Sequence, residues 1–126
     1  MTPQQTAVRD FMRAAGQECP AKPAIPSAGV RRLRSDLIYE ELKELWEAQF
    51  DQNLVGIADA LGDLLYVVLG GFVAYGIDAE PVFDEIHRSN MSKIKGGWKD
   101  ASGKWRKGEG YTPPDLARVV RGEGAI

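Results

Sequence analysis

Residues 54–76 read LVGIADALGDLLYVVLGGFVAYG, and Asp59 and Asp63 are the only charges among them. A helix that is apolar on every side is expected to be buried on every side. The uncharged run 64–77, LLYVVLGGFVAYGI, is too short for the roughly 20 apolar residues that span a bilayer. The stretch therefore reads as a core helix, with no membrane partner. Asp59 and Asp63 are four residues apart and stack on one face of it. Ionised carboxylates inside such an element need a partner.

The preceding segment repeats the anomaly. Residues 30–50, VRRLRSDLIYEELKELWEAQF, have helix-forming composition. At about 100° per residue, Glu40, Glu41 and Glu44 fall in the same sector as Val30, Leu33, Leu37 and Ala48. Arg31, Arg32 and Lys43 mark the opposite side. Three acids on an apolar stripe repel one another and lose hydration, and a cation removes both penalties. If the two helices pack antiparallel through these faces, five carboxylates converge. Hard oxygen donors in that number suit Mg²⁺ or Mn²⁺, which also bind phosphate oxygens. The alternative is a solvated acidic face, with Asp59 and Asp63 paired to Arg32 or Arg34 as structural ion pairs.

The remaining punctuation gives an all-α chain. A first helix over about 3–16 carries Val8, Phe11, Met12 and Ala15 at helical spacing. Pro20, Pro23 and Pro26 force an extended connector. Ser27 caps the second helix, Asp51-Gln52-Asn53 separates it from the third, and Asp78 caps a fourth with Pro81 in its first turn. Gly96-Gly97 stops the fourth. WKDASGKW, residues 98–105, predicts a small hairpin turning at Ser102-Gly103, and the terminal RGEGAI is expected to be mobile. The organisation is one domain over 1–126, with a four-helix core at about 3–95 and a Gly-rich appendage at 96–126.

Composition excludes several classes. A net charge of −2 gives no broad positive field for nucleic acid or an anionic membrane. The single cysteine, Cys19, and single histidine, His87, exclude an internal disulfide and a multi-histidine metal site. The N-terminus lacks the apolar stretch of a signal peptide, and a reducing cytoplasm is the expected location.

EELKE (Glu40, Glu41, Glu44), followed by DALGD ahead of LLYVV, resembles the all-α nucleoside triphosphate pyrophosphohydrolases. That superfamily comprises MazG-like enzymes, dimeric dUTPases and phosphoribosyl-ATP pyrophosphohydrolases. The resemblance runs from about residue 30 to 95. IHRSNMSKI in the fourth helix and KGEGYTPPDL in the tail look like the MazG-like proteins related to phosphoribosyl-ATP pyrophosphohydrolase. The shared signature is EExxE, a spacer, then ExxD. Here Ala60 stands where the glutamate of ExxD falls, and Asp59 lies one residue earlier. That Asp59 replaces the missing ligand is a physical inference from its i, i+4 relation to Asp63.

The resemblance implies hydrolysis of a nucleoside triphosphate to the monophosphate and pyrophosphate, with two or three Mg²⁺ ions per site that Mn²⁺ can replace. Glu40, Glu44, Asp59 and Asp63 are the expected metal ligands. Glu41 shares that face and is the candidate for orienting or deprotonating the attacking water. His87, Asn90 and Lys93 share one side of the fourth helix and are candidates for substrate contacts, with Lys95, Lys104 and Arg106 closing over phosphates. Trp46, Phe11, Trp98 and Trp105 can stack on a base or simply pack. The compact subgroup, also found in phages, points to a deoxynucleotide, (d)GTP first and dUTP second. A homo-oligomer, dimer or tetramer, is expected because four helices in about 95 residues cannot easily enclose a third helix that is apolar on every side. Two rival readings are a non-hydrolytic helical oligomer that binds metal or nucleotide, favoured by Ala60, and a nucleic-acid accessory protein using the basic residues of 93–107.

Overall fold

The structure, a computed structural model, describes residues 1–122. Four long helices come first: α1 (Pro3–Ala14), α2 (Ala28–Phe50), α3 (Leu54–Ala74) and α4 (Ala79–Met91). A two-stranded hairpin, β1 (Trp98–Lys99) and β2 (Trp105–Arg106), and a short α5 (Leu116–Arg121) follow. The chain divides into two compact units, Met1–Ile77 and Asp78–Ile126.

In the first unit each helix starts where its cap predicts. Thr2 accepts from the Gln5 amide, Ser27 from Val30 and Asn53 from Gly56, each satisfying one orphan donor of a first turn. The α1 stripe Val8–Met12 packs on Val73 and Ala74 near the end of α3, with Cys19, Val30, Leu69 and Tyr75 around it. Gln5 is buried beside this cluster, and its Nε2 donates to the Ile77 carbonyl at 2.8 Å. The proline connector runs extended, tied by the Ala24 amide to the Tyr75 carbonyl at 3.0 Å.

One expectation changes here. Within its own chain α3 is not buried all round: Leu54 and Val55 are 78% and 80% exposed, and Leu61 and Leu65 are also exposed. Its buried residues are Ala60, Gly70, Val73 and Ala74. Only α1 and α2 pack on it within this unit, so one side remains uncovered.

In the second unit α4 and α5 are held by charge. Glu85 is buried and accepts from Arg88 at 2.6 Å and from Arg118 at 3.2 Å. The helix ends at Met91, earlier than Gly96-Gly97 suggests. Ser92 explains the early stop, since its hydroxyl donates to the Ser89 carbonyl and accepts from the Thr112 amide, a tie to the incoming tail. α5, capped by Asp115, is an element the sequence reading did not contain. Of the RGEGAI terminus expected to be mobile, residues 123–126 lie outside the described residues.

A carboxylate cluster on the seam of α2 and α3

The two longest helices are joined by three residues and pack along one another antiparallel. Their register is set by small residues. A Cβ placed on Gly56 would lie 3.3 Å from the Ala48 methyl, and one on Gly70 would lie 2.6 Å from Arg34 Nη1. Ala48 therefore faces Gly56, and Arg34 faces Gly70. Midway, seven residues from each on its own helix, Glu41 meets Asp63. A step of seven residues is two turns, which returns a residue to the same seam. This places Glu41 on the packed stripe of α2 between Arg34 and Leu45, both buried.

Carboxylate oxygens of Glu41, Glu44 and Asp63 all lie within 4.8 Å of one another. Glu41 is half-buried, and its Oε2 is enclosed without a hydrogen-bond partner. Burial pushes the Glu41 carboxyl above its ordinary pKa, and the neighbouring Glu44, then Asp63 and Asp59, raise it further. Among the described residues no arginine pairs with the group. Arg34 donates instead to Gln17 Oε1 at 2.8 Å, and burial pulls its own pKa down. The structural ion pair between Arg32 or Arg34 and the α3 aspartates does not occur among the described residues.

The other sequence candidates are placed as follows. Glu40 is exposed and outside the close triad. Asp59 is also exposed, though its charge reaches Glu41. Ala60, only 2% exposed, occupies the seam one turn before Asp63. Trp46 is exposed beside a surface recess with Glu47, Phe50 and Asp51. In the second unit His87 and Asn90 are exposed on α4, and the His87 ring stacks on Phe83 at 6.4 Å. Lys93 and Lys95 lie beyond the end of α4. Arg34 is the buried polar residue that the pattern of charges did not single out. Its signal was the glycine at position 70, which leaves room for the guanidinium.

Residues 8–90 match the phosphoribosyl-ATP pyrophosphohydrolase (PRA-PH) family. The chain belongs to that family. The match takes in all four long helices, with α1 from Val8 onward and α4 up to Asn90, and ends before the hairpin. The chain is also similar to a protein of Acanthamoeba polyphaga mimivirus, called uncharacterized protein L479, with 49% identity over 49 residues. That stretch is 39% of this chain and 20% of the viral protein, so the similarity spans a fifth of that relative's length.

The acid cluster of this PRA-PH chain fits a divalent cation. It offers hard oxygen donors on two facing helices and an enclosed Glu41 oxygen without a hydrogen-bond partner, and no Lys or Arg pairs with these acids among the described residues. The 4.8 Å ceiling is close to the roughly 4.2 Å that separates oxygens on opposite sides of one Mg²⁺. Soft ligands are absent from the cluster, which argues against zinc or copper.

Proposed function

We propose that the protein hydrolyses a nucleoside triphosphate to the monophosphate and pyrophosphate at the α2–α3 seam, using Mg²⁺ or Mn²⁺. The carrying observation is the Glu41 carboxylate facing Asp63 and Glu44, with its Oε2 enclosed and without a hydrogen-bond partner. Family membership supports pyrophosphohydrolysis as the reaction class. Glu41, Glu44 and Asp63 form the centre of the ligand set, and Glu40 and Asp59 extend it along the same two helices toward a second ion. Bound cations supply charge neutralisation for the triphosphate and polarise its phosphorus–oxygen bonds. Glu41 then has two assignments, ligand and acceptor of the proton from the attacking water. His87, Asn90, Lys93, Lys95 and Trp46 are the proposed substrate contacts. Lys93 offers a point charge to phosphate and Trp46 an aromatic face.

A deoxynucleotide is the proposed substrate class, (d)GTP before dUTP, in a cytoplasmic protein whose single domain spans the whole chain. A panel of the eight common NTPs and dNTPs with Mg²⁺ or Mn²⁺ tests this by pyrophosphate release. One or more guanine nucleotides should be cleaved. Release from none of the eight would leave the non-hydrolytic binding reading, which Ala60 on the seam favours.

The exposed side of α3 supports a homo-oligomer. Leu54, Val55, Leu61 and Leu65 extend toward Tyr66, whose ring meets the exposed Phe11 edge-on at 6.0 Å. By length and composition α3 is long and apolar enough to cross a membrane. Its two aspartates, one of them held against Glu41 and Glu44, argue for a second copy of the chain as the cover. Light scattering at low micromolar protein should give a dimer or tetramer, and Leu61→Glu with Leu65→Glu should give a monomer. A monomeric wild type would refute the assembly.

A further inference from the structure

The segment after α4 folds into a basic and aromatic recess that lies outside the residues matched by the family. Trp98 pairs with Arg106 and Lys99 with Trp105 across the hairpin. Asp100 organises the turn. One of its oxygens accepts from the Ser102 amide and hydroxyl and from the Lys104 amide, and the other accepts from Arg106 Nε at 2.8 Å. The Trp105 indole is fixed from behind, donating to the Lys93 carbonyl at 3.0 Å. A cavity of about 410 Å³ opens among Lys93, Trp98, Lys104, Trp105, Arg106 and Lys107.

The charges in this recess are not balanced. Arg106 is paired with Asp100. Lys93, Lys104 and Lys107 have no carboxylate partner among the described residues. Lys107 and Lys93 hold their ammonium groups 4.7 and 5.8 Å from the centre of the same ring, Tyr111. Cation–π attraction accounts for one ammonium there. Trp98, 57% exposed, presents an indole to the same cavity. Lysine side chains lining one recess beside an exposed aromatic face are complementary to a phosphate chain attached to a planar base. The volume accommodates one small ligand, whereas a groove for a strand tracks several consecutive nucleotides.

We propose that this recess binds a nucleoside triphosphate without a divalent ion, its phosphates against Lys104 and Lys107 and its base against Trp98. The choice of a nucleotide rests on the pyrophosphohydrolase reading, and the site itself rests on the recess. Calorimetry on the full chain in EDTA tests it with dGTP, inorganic triphosphate and octadeoxythymidylate as probes. Binding of dGTP is expected, with Trp98→Ala and Lys107→Ala each weakening it about tenfold or more and Trp98→Phe largely retaining it. Inorganic triphosphate should bind more weakly than dGTP. No binding of dGTP in EDTA, or equal binding by wild type and Trp98→Ala, overturns the proposal. Tighter binding of the octamer than of dGTP also overturns it, in favour of a single strand. If Trp98→Ala loses its helical circular dichroism, Trp98→Phe and Lys107→Ala decide. Pyrophosphate release with Mg²⁺ from the panel of eight nucleotides on the same wild-type sample is read separately. Release without binding in EDTA sinks the recess alone, and binding without release sinks the hydrolysis reading alone.

Discussion

Glu41→Gln is expected to lose pyrophosphate release by at least about a hundredfold, as loss of groups that hold or support a catalytic metal does, and yet to melt at a higher temperature than the wild type when both are metal-free. The two effects share one cause. Glutamine keeps the shape of the side chain and removes a charge that sits half-buried with Oε2 unpartnered and two acids within 4.8 Å. In the free protein that charge is a liability, since neighbouring carboxylates cannot all ionise without repulsion. With a divalent ion it becomes the reason the ion binds. Activity assays and thermal melts in EDTA read both halves. Turnover near wild type removes Glu41 from both assigned roles. A lower melting temperature than wild type in EDTA would mean that the cluster is satisfied by something other than a cation. Adding Mg²⁺ should raise the wild-type melting temperature and leave the variant nearly unmoved.

The helices could be read from the sequence because their starts are local chemistry. Ser27, Asn53 and Asp78 each sit beside a run of helix formers, and each caps the helix that follows. The end of α4 is not local chemistry, since Ser92 is held by Thr112, twenty residues away. α5 is hidden for a related reason. Its six residues lie in a tail of glycine and proline, too few for a periodic signal. At the carboxylate cluster the residue types were legible but the phase was not. Glu40 and Glu41 are adjacent, and the apolar residues of α2 alone place both on one stripe. The choice between them lies in the partner helix, where Gly56, Asp63 and Gly70 repeat every seven residues and select Arg34, Glu41 and Ala48 opposite. Reading that seam requires both helices at once. It also shows why Ala60 is tolerated. The position is enclosed at 2% exposure, and an alanine methyl group there needs no hydrogen-bond partner.

Magnesium should stabilise the protein more strongly at pH 8 than near pH 4. Glu41 holds its proton more tightly in the folded chain than in the unfolded one, because burial and the acids around it disfavour the charged form. Between the ordinary glutamate value of about 4.3 and its raised folded value, the native state therefore binds more protons. Stability of the metal-free protein falls as pH rises through that interval. A divalent ion binds the deprotonated cluster and competes with the proton, so its affinity rises over the same interval. At a hundredfold excess over its dissociation constant, the ion adds about 2.7 kcal/mol, which is roughly 10 °C in melting temperature for a chain of this size. Melts at pH 4 and 8, with Mg²⁺ or EDTA, measure both slopes, and Glu41→Gln supplies the reference in which the Glu41 contribution is removed. The wild-type curve in EDTA should decline more steeply with pH than the Glu41→Gln curve, and Mg²⁺ should flatten it. Equal stabilisation by Mg²⁺ at the two pH values would place the ion away from Glu41. No stabilisation at pH 8 would mean that the seam holds no divalent ion at all.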